Sequence, residues 1–210
     1  AEMKKLALKL HEVRTASAKR LSTAVTNELA ALSMPNASVV VEVEANDAET
    51  QSSYSAHGID SVTFQFSPHT GSKLAPLAKI ASGGEMSRLM LAIEVVIASK
   101  APVGTYVFDE VDAGVGGKAA VEVGRRLAAL SKSAQVIVVT HLPQVAVWAD
   151  NHLVVRKDQS GSITESSVTS LKKDERLREI ARMLAGQEES ETAQKHAEEL
   201  LQMVAESVIS

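Results

Sequence analysis

Two short, wholly apolar runs constrain this chain more than anything else in it. They are Thr105-Tyr106-Val107-Phe108 and Gln135-Val136-Ile137-Val138-Val139-Thr140, with an amphipathic stretch from Lys118 to Leu130 between them. Strand, helix, strand with both strands apolar throughout is the pattern of a parallel sheet covered on both faces. The first run leads into two consecutive carboxylates, Asp109 and Glu110, and the second ends at Thr140-His141. In a parallel sheet the carboxyl ends of the strands share one edge, where ligands sit, so His141 is expected beside the two acids. Adjacent residues at a strand end point in opposite directions, so Asp109 and Glu110 cannot do the same job. One is placed to hold a hard cation such as Mg2+, directly or through water, while the other can orient and deprotonate an attacking water. His141 has two readings, a residue that caps the strand end or a donor to a bound phosphate.

Upstream, Ser82-Gly83-Gly84-Glu85 stands in front of the apolar positions Leu89, Leu91, Ala92, Ile93, Val95 and Val96. This reads as a loop feeding a helix that runs from Gly83 to about Lys100 and stops at Ala101-Pro102-Val103-Gly104. Such a helix start offers free backbone N–H groups and a positive dipole end, which suits an anion. A phosphate-facing helix start and a carboxylate pair together suggest a nucleotide site. The glycine-rich run Asp112 to Ala119 invites two other readings and fits neither. As a phosphate loop it has Asp112 where the first glycine belongs and Ala119 where a hydroxyl must reach Mg2+. As a dinucleotide fingerprint, Gly114-x-Gly116-x-x-Ala119 would set Asp109, Glu110 and Asp112 against a pyrophosphate, and no acid near the end of the next strand is there to bind the ribose.

At these residues the sequence resembles the ATP-binding-cassette ATPases. Ala81 to Glu85 looks like their signature motif, and Asp109-Glu110 like a Walker B motif with its catalytic glutamate. The wider strings Lys79 to Glu85, Phe108 to Gly114 and Val139 to Ala146 are closer to the SMC-like branch that acts in bacterial DNA repair, and the resemblance runs from about Ser61 to Ala185. It implies an α/β fold, the C-terminal lobe of an ABC/SMC-type ATPase head: a parallel sheet flanked by helices, with an N-terminal coiled-coil helix and a β-hairpin. It implies ATP and Mg2+, with Asp109 on the metal, Glu110 on the water and His141 as the switch histidine at the γ-phosphate. Ser82, Gly83, Gly84 and Glu85 would bind nucleotide held by an opposing head. Asp112, Gly114 and Gly116 would form the D-loop that crosses to that head, although Gly116 stands where many relatives have Asp.

No GxxxxGK[ST] occurs anywhere in the chain. The loop that wraps the β- and γ-phosphates is therefore missing, and the chain reads as half of a head that is inactive alone. By resemblance the other half, an N-terminal lobe with the Walker A motif and Q-loop glutamine, precedes the coiled coil. The implied partners are that lobe, a second head joined as an ATP-dependent dimer, and DNA.

Residues 2–33 contain no Gly or Pro and run into Met34-Pro35-Asn36, a helix stop. Leu6, Leu10 and Val13, then Leu21, Val25, Leu29 and Leu32, recur at spacings of three and four, interrupted around Ser17 and Arg20. One long amphipathic helix is expected, and 1–34 is read as the stump of a coiled-coil arm on a head lobe spanning 35–210. Beginning at Ala1 in mid-helix, the chain reads as a piece of something longer. Six basic residues against three acidic ones leave this helix at +3, either a solvated face or a surface that touches DNA. Val39 to Glu44 and Ser61 to Phe66 read as a hairpin around the polar loop Asn46 to Gly58. Strands at Leu153 to Arg156 and Ile163 to Val168, joined at Gln159-Ser160-Gly161, lead to helices near Asp174 to Leu184 and Glu191 to Ser207.

A net charge of −4 excludes a uniformly basic nucleic-acid coat, and the lack of cysteine excludes disulfides and thiolate metal sites. No apolar run approaches the roughly 20 residues of a membrane span and no signal-peptide pattern appears, so a cytoplasmic protein without membrane partners is expected, and the resemblance implies that it is nucleoid-associated. His57 and His69 have no second ligand at a helical or hairpin spacing and are not read as metal ligands. Two functions stay open: an ATPase half-head acting in double-strand break repair and recombination, and a non-hydrolysing coiled-coil interaction module or another SMC-class DNA-associated ATPase. Turnover after mixing with the complementary lobe separates them.

Overall fold

The computed structural model describes residues 2–79, 83–98, 100, 103–158, 165–186 and 190–209. They form two compact units, Ala1–Pro102 and Val103–Ser210.

The first unit is built on helix α1, Glu2–Ala31. It ends where Ser33 takes a left-handed φ of 63° and the Met34 N–H reaches back 2.9 Å to the Leu29 carbonyl. The stripe read from its sequence is used in two ways. Val25, Leu29 and Leu32 are fully buried, whereas Leu6 and Val13 are 60% and 55% exposed.

Strands β1 (Ser38–Ala45) and β2 (Asp60–Ser67) pair antiparallel, with Val39 opposite Phe66 and Val41 opposite Phe64, and the short β3 (Ala75–Pro76) adds to β2. Period-two alternation puts Val39, Val41 and Val43 on one face and Val40, Glu42 and Glu44 on the other. Helix α1 packs along β1 and closes its open edge: the Val39 N–H donates to Thr26 Oγ1 at 3.1 Å and the Val41 N–H to Ser22 Oγ at 2.9 Å. Farther up α1, Arg14 Nη1 donates to Asp60 Oδ2 at 2.9 Å and to the His57 carbonyl at 2.7 Å, while His11 Nδ1 lies 2.8 Å from Asp60 Oδ1. Helix α2, Gly83–Ile97, packs on α1 and buries Gly84, Arg88, Leu89, Leu91, Ala92 and Ile93.

The second unit opens with β4 (Thr105–Phe108), α3 (Gly117–Ser131) and β5 (Gln135–Val138). The two strands pair parallel, as their composition requires, with Thr105 opposite Gln135 and Phe108 opposite Val138. One face, carrying Tyr106 and Phe108, is covered. The other is bare, with Val107 67%, Ile137 46% and Val139 58% exposed. Cover on both faces was expected, and the described residues of this unit supply it on one.

A short α4 (Pro143–Ala146) leads to the antiparallel pair β6 (Leu153–Asp158) and β7 (Glu165–Ser170); the predicted turn at Gln159-Ser160-Gly161 and the predicted strand start at Ile163 lie outside the described residues. Helices α5 (Lys173–Ala185) and α6 (Glu191–Ile209) close the unit around Ala146, Val147, Ile180, Ala181, Ala193 and Ala197. Gly186, at φ 73°, ends α5 in the left-handed conformation that glycine takes without penalty. Gly124 in α3 has no room for a side chain, because a Cβ there would sit 2.2 Å from Trp148 Cδ1. That close approach seats α3 against the segment that follows α4.

Candidate functional site

The parallel ladder runs one bond past the named strands: the Val139 N–H donates to the Phe108 carbonyl at 2.9 Å. The carboxyl ends of β4 and β5 are therefore flush, and Asp109-Glu110 and Thr140-His141 leave the sheet at one edge, as the sequence predicts. Asp109 and Glu110 are exposed there, and the His141 side chain is 74% exposed. These are groups that a ligand can reach.

Glu110 has a backbone φ of +58°, a left-handed conformation that glutamate rarely adopts. Strain of this kind costs on the order of 1–3 kcal/mol and persists where the surroundings impose it, as they do at functional turns. The turn that imposes it is closed by the Ala113 N–H on the Glu110 carbonyl at 3.0 Å and by the fully buried Val111. Gly114, at φ 73°, carries the turn toward α3. Gly116 is the residue before that helix, extended at φ −164° and exposed. Asp112 faces inward at 2% exposure. Its Oδ2 accepts a hydrogen bond from Thr140 Oγ1 and one from the His141 N–H at 3.3 Å, and lies 3.5 Å from His141 Nδ1.

The helix start belongs to the first unit. Gly83 is exposed, Gly84 is buried and Glu85 is half-buried in the first turn of α2, while Ser82 lies outside the described residues. Burial pulls the Arg88 guanidinium below its usual range, and the negative charge of Glu85 one turn earlier partly offsets this. Glu85 therefore has a charge partner on its own helix face.

Two features of the second unit were not read from the sequence. Thr140 was seen only as the end of a strand, yet its hydroxyl donates to Asp112 and accepts from the Leu142 N–H at 3.0 Å. A hydroxyl directly before a strand-end histidine was the available signal. Arg176 of α5 had none: its Nη2 donates to the Ala146 and Val147 carbonyls at 3.3 and 2.9 Å, fastening α4 close behind the His141 loop. Burial lowers Arg176, with Asp150 opposing, and burial also lowers His152, with Arg176 adding to the effect and Glu179 opposing it. The Glu179 carboxyl is held low by hydrogen bonds from Arg182, one at 2.8 Å.

No family model matches the chain. Among curated proteins it is 56% identical over 209 residues to the DNA repair protein RecN of Streptomyces coelicolor, 47% identical to that of Mycobacterium leprae and 41% identical to that of Vibrio cholerae. These alignments take in 96%, 95% and 92% of the chain but only 36%, 36% and 34% of the relatives. The chain thus spans about a third of the length of the proteins it matches. Among solved structures, the Smc head domain with a coiled coil and joint from Pyrococcus yayanosii superposes with a TM-score of 0.54 at 20% identity, over 80% of this chain and 29% of that one. The Smc head domain with an extended coiled coil from Pyrococcus furiosus gives 0.51 at 22% identity, over 81% and 39%. The fold is that of an SMC-type head, and over the segment it spans the chain is a homologue of proteins named DNA repair protein RecN.

Proposed function

We propose that this chain is the C-terminal half of a RecN-type ATPase head that acts in DNA double-strand break repair and recombination. Residues 1–34 are the stump of its coiled-coil arm and 35–210 the head lobe. The observation that carries the reading is the flush edge of β4 and β5, where Asp109, Glu110 and His141 emerge together beside an uncovered apolar sheet face. The N-terminal lobe of the same protein, with the Walker A and Q-loop motifs, covers that face and brings the phosphate loop that this sequence lacks. Glu110 orients and deprotonates the attacking water, and His141 steadies the γ-phosphate. Ser82, Gly83, Gly84 and Glu85 close on nucleotide held by a second head in an ATP-dependent dimer. Gly114 and Gly116 shape the D-loop between the heads. DNA is the third partner, and the protein works in the cytoplasm on the nucleoid.

Among the described residues no group of three or more His, Cys, Asp or Glu could hold a metal alone. Mg2+ fits in the form usual for nucleotide sites, one or two carboxylates with phosphate and water in the other positions, and Asp109 is the carboxylate that would hold it. When bound, it supplies charge neutralisation on the phosphate oxygens.

The strained backbone at Glu110 favours hydrolysis over an idle interaction module, because an unused site gives no reason to hold a glutamate at φ +58°. The test is ATP turnover by the 210-residue chain, alone and mixed with the N-terminal lobe, with Glu110→Gln as the diagnostic variant. The chain alone shows none, the mixture turns over, and Glu110→Gln keeps ATP binding while turnover falls about 10²-fold or more and heads accumulate as ATP-bound dimers in light scattering. Robust hydrolysis by the chain alone, or unchanged turnover in Glu110→Gln, would overturn the reading.

A further inference from the structure

Asp112 follows Glu110 by two residues but faces the other way, into the protein, at 2% exposure. A carboxylate taken out of water costs several kcal/mol unless hydrogen bonds replace the lost hydration. Here the replacement comes from the loop after β5: the Thr140 hydroxyl and the His141 backbone N–H, at 3.3 Å, both donate to the single oxygen Oδ2, and His141 Nδ1 lies 3.5 Å from it. Among the described residues no Lys or Arg is paired with Asp112. Its charge is used on one target.

That target is the loop that sets His141. The Thr140 hydroxyl donates to Asp112 and accepts from the Leu142 N–H at 3.0 Å, so its rotor is fixed from both sides, and Leu142 is the residue from which α4 starts. Asp112 thus ties the turn after β4, which carries Glu110, to the loop after β5, which carries His141. The imidazole itself is 74% exposed. An exposed ring on an untethered loop samples several rotamers, and a phosphate contact needs one of them.

We infer that Asp112 is a positioning residue for hydrolysis: it locks the Thr140-His141-Leu142 loop and takes the Nδ1 side of the imidazole, which leaves Nε2 as the nitrogen that can reach a phosphate at the sheet edge. The inference rests on the reading of His141 as the switch histidine. It also gives Asp112 a task inside its own head, so the crossing to a second head falls to the backbone around Gly114 and Gly116.

The experiment has two arms, each run on Asp112→Ala and on the conservative Asp112→Asn, which keeps an acceptor oxygen. In the 210-residue chain, hydrogen exchange of the His141 amide, whose proton Asp112 accepts, accelerates about tenfold or more in Asp112→Ala and less in Asp112→Asn, while amides of α3 are unchanged. An unchanged His141 amide in both variants overturns the clamp, whether or not the chain belongs to an ATPase. In the complete head, Asp112→Ala lowers kcat about tenfold with KM for ATP within about twofold, Asp112→Asn recovers part of the loss, and Asp112→Ala/His141→Ala is no slower than His141→Ala alone. An additive double variant, or equal losses of kcat and stability with no recovery in Asp112→Asn, overturns the positioning role. If Asp112→Ala does not fold, Asp112→Asn and its double variant with His141→Ala decide the same question. A complete head whose turnover is indifferent to His141→Ala breaks the reading of His141 instead and removes the catalytic half of the inference, leaving the exchange result to judge the clamp.

Discussion

The sheet of the first unit and the parallel pair of the second both rest on valine- and phenylalanine-bearing strands, yet they finish differently. In the first, β1 alternates inward and outward residues, α1 packs along β1, and hydroxyls from α1 occupy the edge N–H groups of Val39 and Val41. In the second, β4 and β5 have apolar side chains on both faces, and only one face finds cover. An antiparallel hairpin can leave one face to water because that face is polar; a parallel pair whose outer face is Val107, Ile137 and Val139 cannot do so cheaply. What the first sheet exposes is a largely polar face, whereas the exposed face of β4 and β5 is apolar, as an interface would be.

The same substitution in the two sheets tests this most severely. Val39 is 3% exposed and Val107 is 67% exposed. Val39→Asp should unfold the first unit, since an unpaired carboxylate in an apolar core costs several kcal/mol, read by circular dichroism and thermal melting. Val107→Asp should leave the melting temperature of the isolated chain within a few degrees and weaken its association with the N-terminal lobe about 10³-fold, measured by titration calorimetry. If Val107→Asp unfolds the chain while the lobe still binds, the bare face is core after all.

A smaller effect is expected where α1 is pinned to the hairpin. Burial alone would raise the Asp60 carboxyl, but hydrogen bonds and charge from Arg14 and His11 outweigh it and hold the group below its ordinary value of 3.8. A depressed native value means that the clamp stabilises the fold above the unfolded value, and that this contribution fades as pH falls through the native one. Stability of the first unit should therefore drop from roughly pH 5 downward. Asp60→Asn should lower it by about 2 kcal/mol at pH 7 and flatten that pH dependence, because Arg14 and His11 keep partial access to water. A variant that melts in parallel with the parent at every pH would remove Asp60 from the clamp.

The smallest effect sharpens the account of the closed edge. Ser22→Ala should cost about 1 kcal/mol by leaving the Val41 N–H without its acceptor. Urea unfolding resolves a change of that size, and the midpoint should move without a change in slope. Ser22→Thr, which keeps the hydroxyl, should recover most of it.

The parallel pairing of β4 and β5 was legible because periodicity and length settle it, and the edge carrying Asp109, Glu110 and His141 followed from topology alone. Asp112 was less so. Sequence placed it in a loop among glycines and, by resemblance, in a contact with another head; its inward orientation depends on the left-handed step at Glu110, which no local pattern announces. Arg176 was invisible, since it acts on carbonyls about 30 residues away. The long helix shows the same division on a larger scale: spacing marks Leu6, Leu10 and Val13 as equal to Val25, Leu29 and Leu32, and only packing says which set is buried.

The sequence by itself determined the order and type of the long helices and the paired strands, the two acids and the histidine at one sheet edge, and the lack of a phosphate loop, because these rest on periodicity and on residues adjacent in the chain; the short β3 and α4 were not read from it. Tertiary structure alone decided which apolar faces are filled and which are left bare, and that Asp112 bonds to the His141 loop. Burial and side-chain direction depend on elements distant in sequence, and no window along the chain contains them.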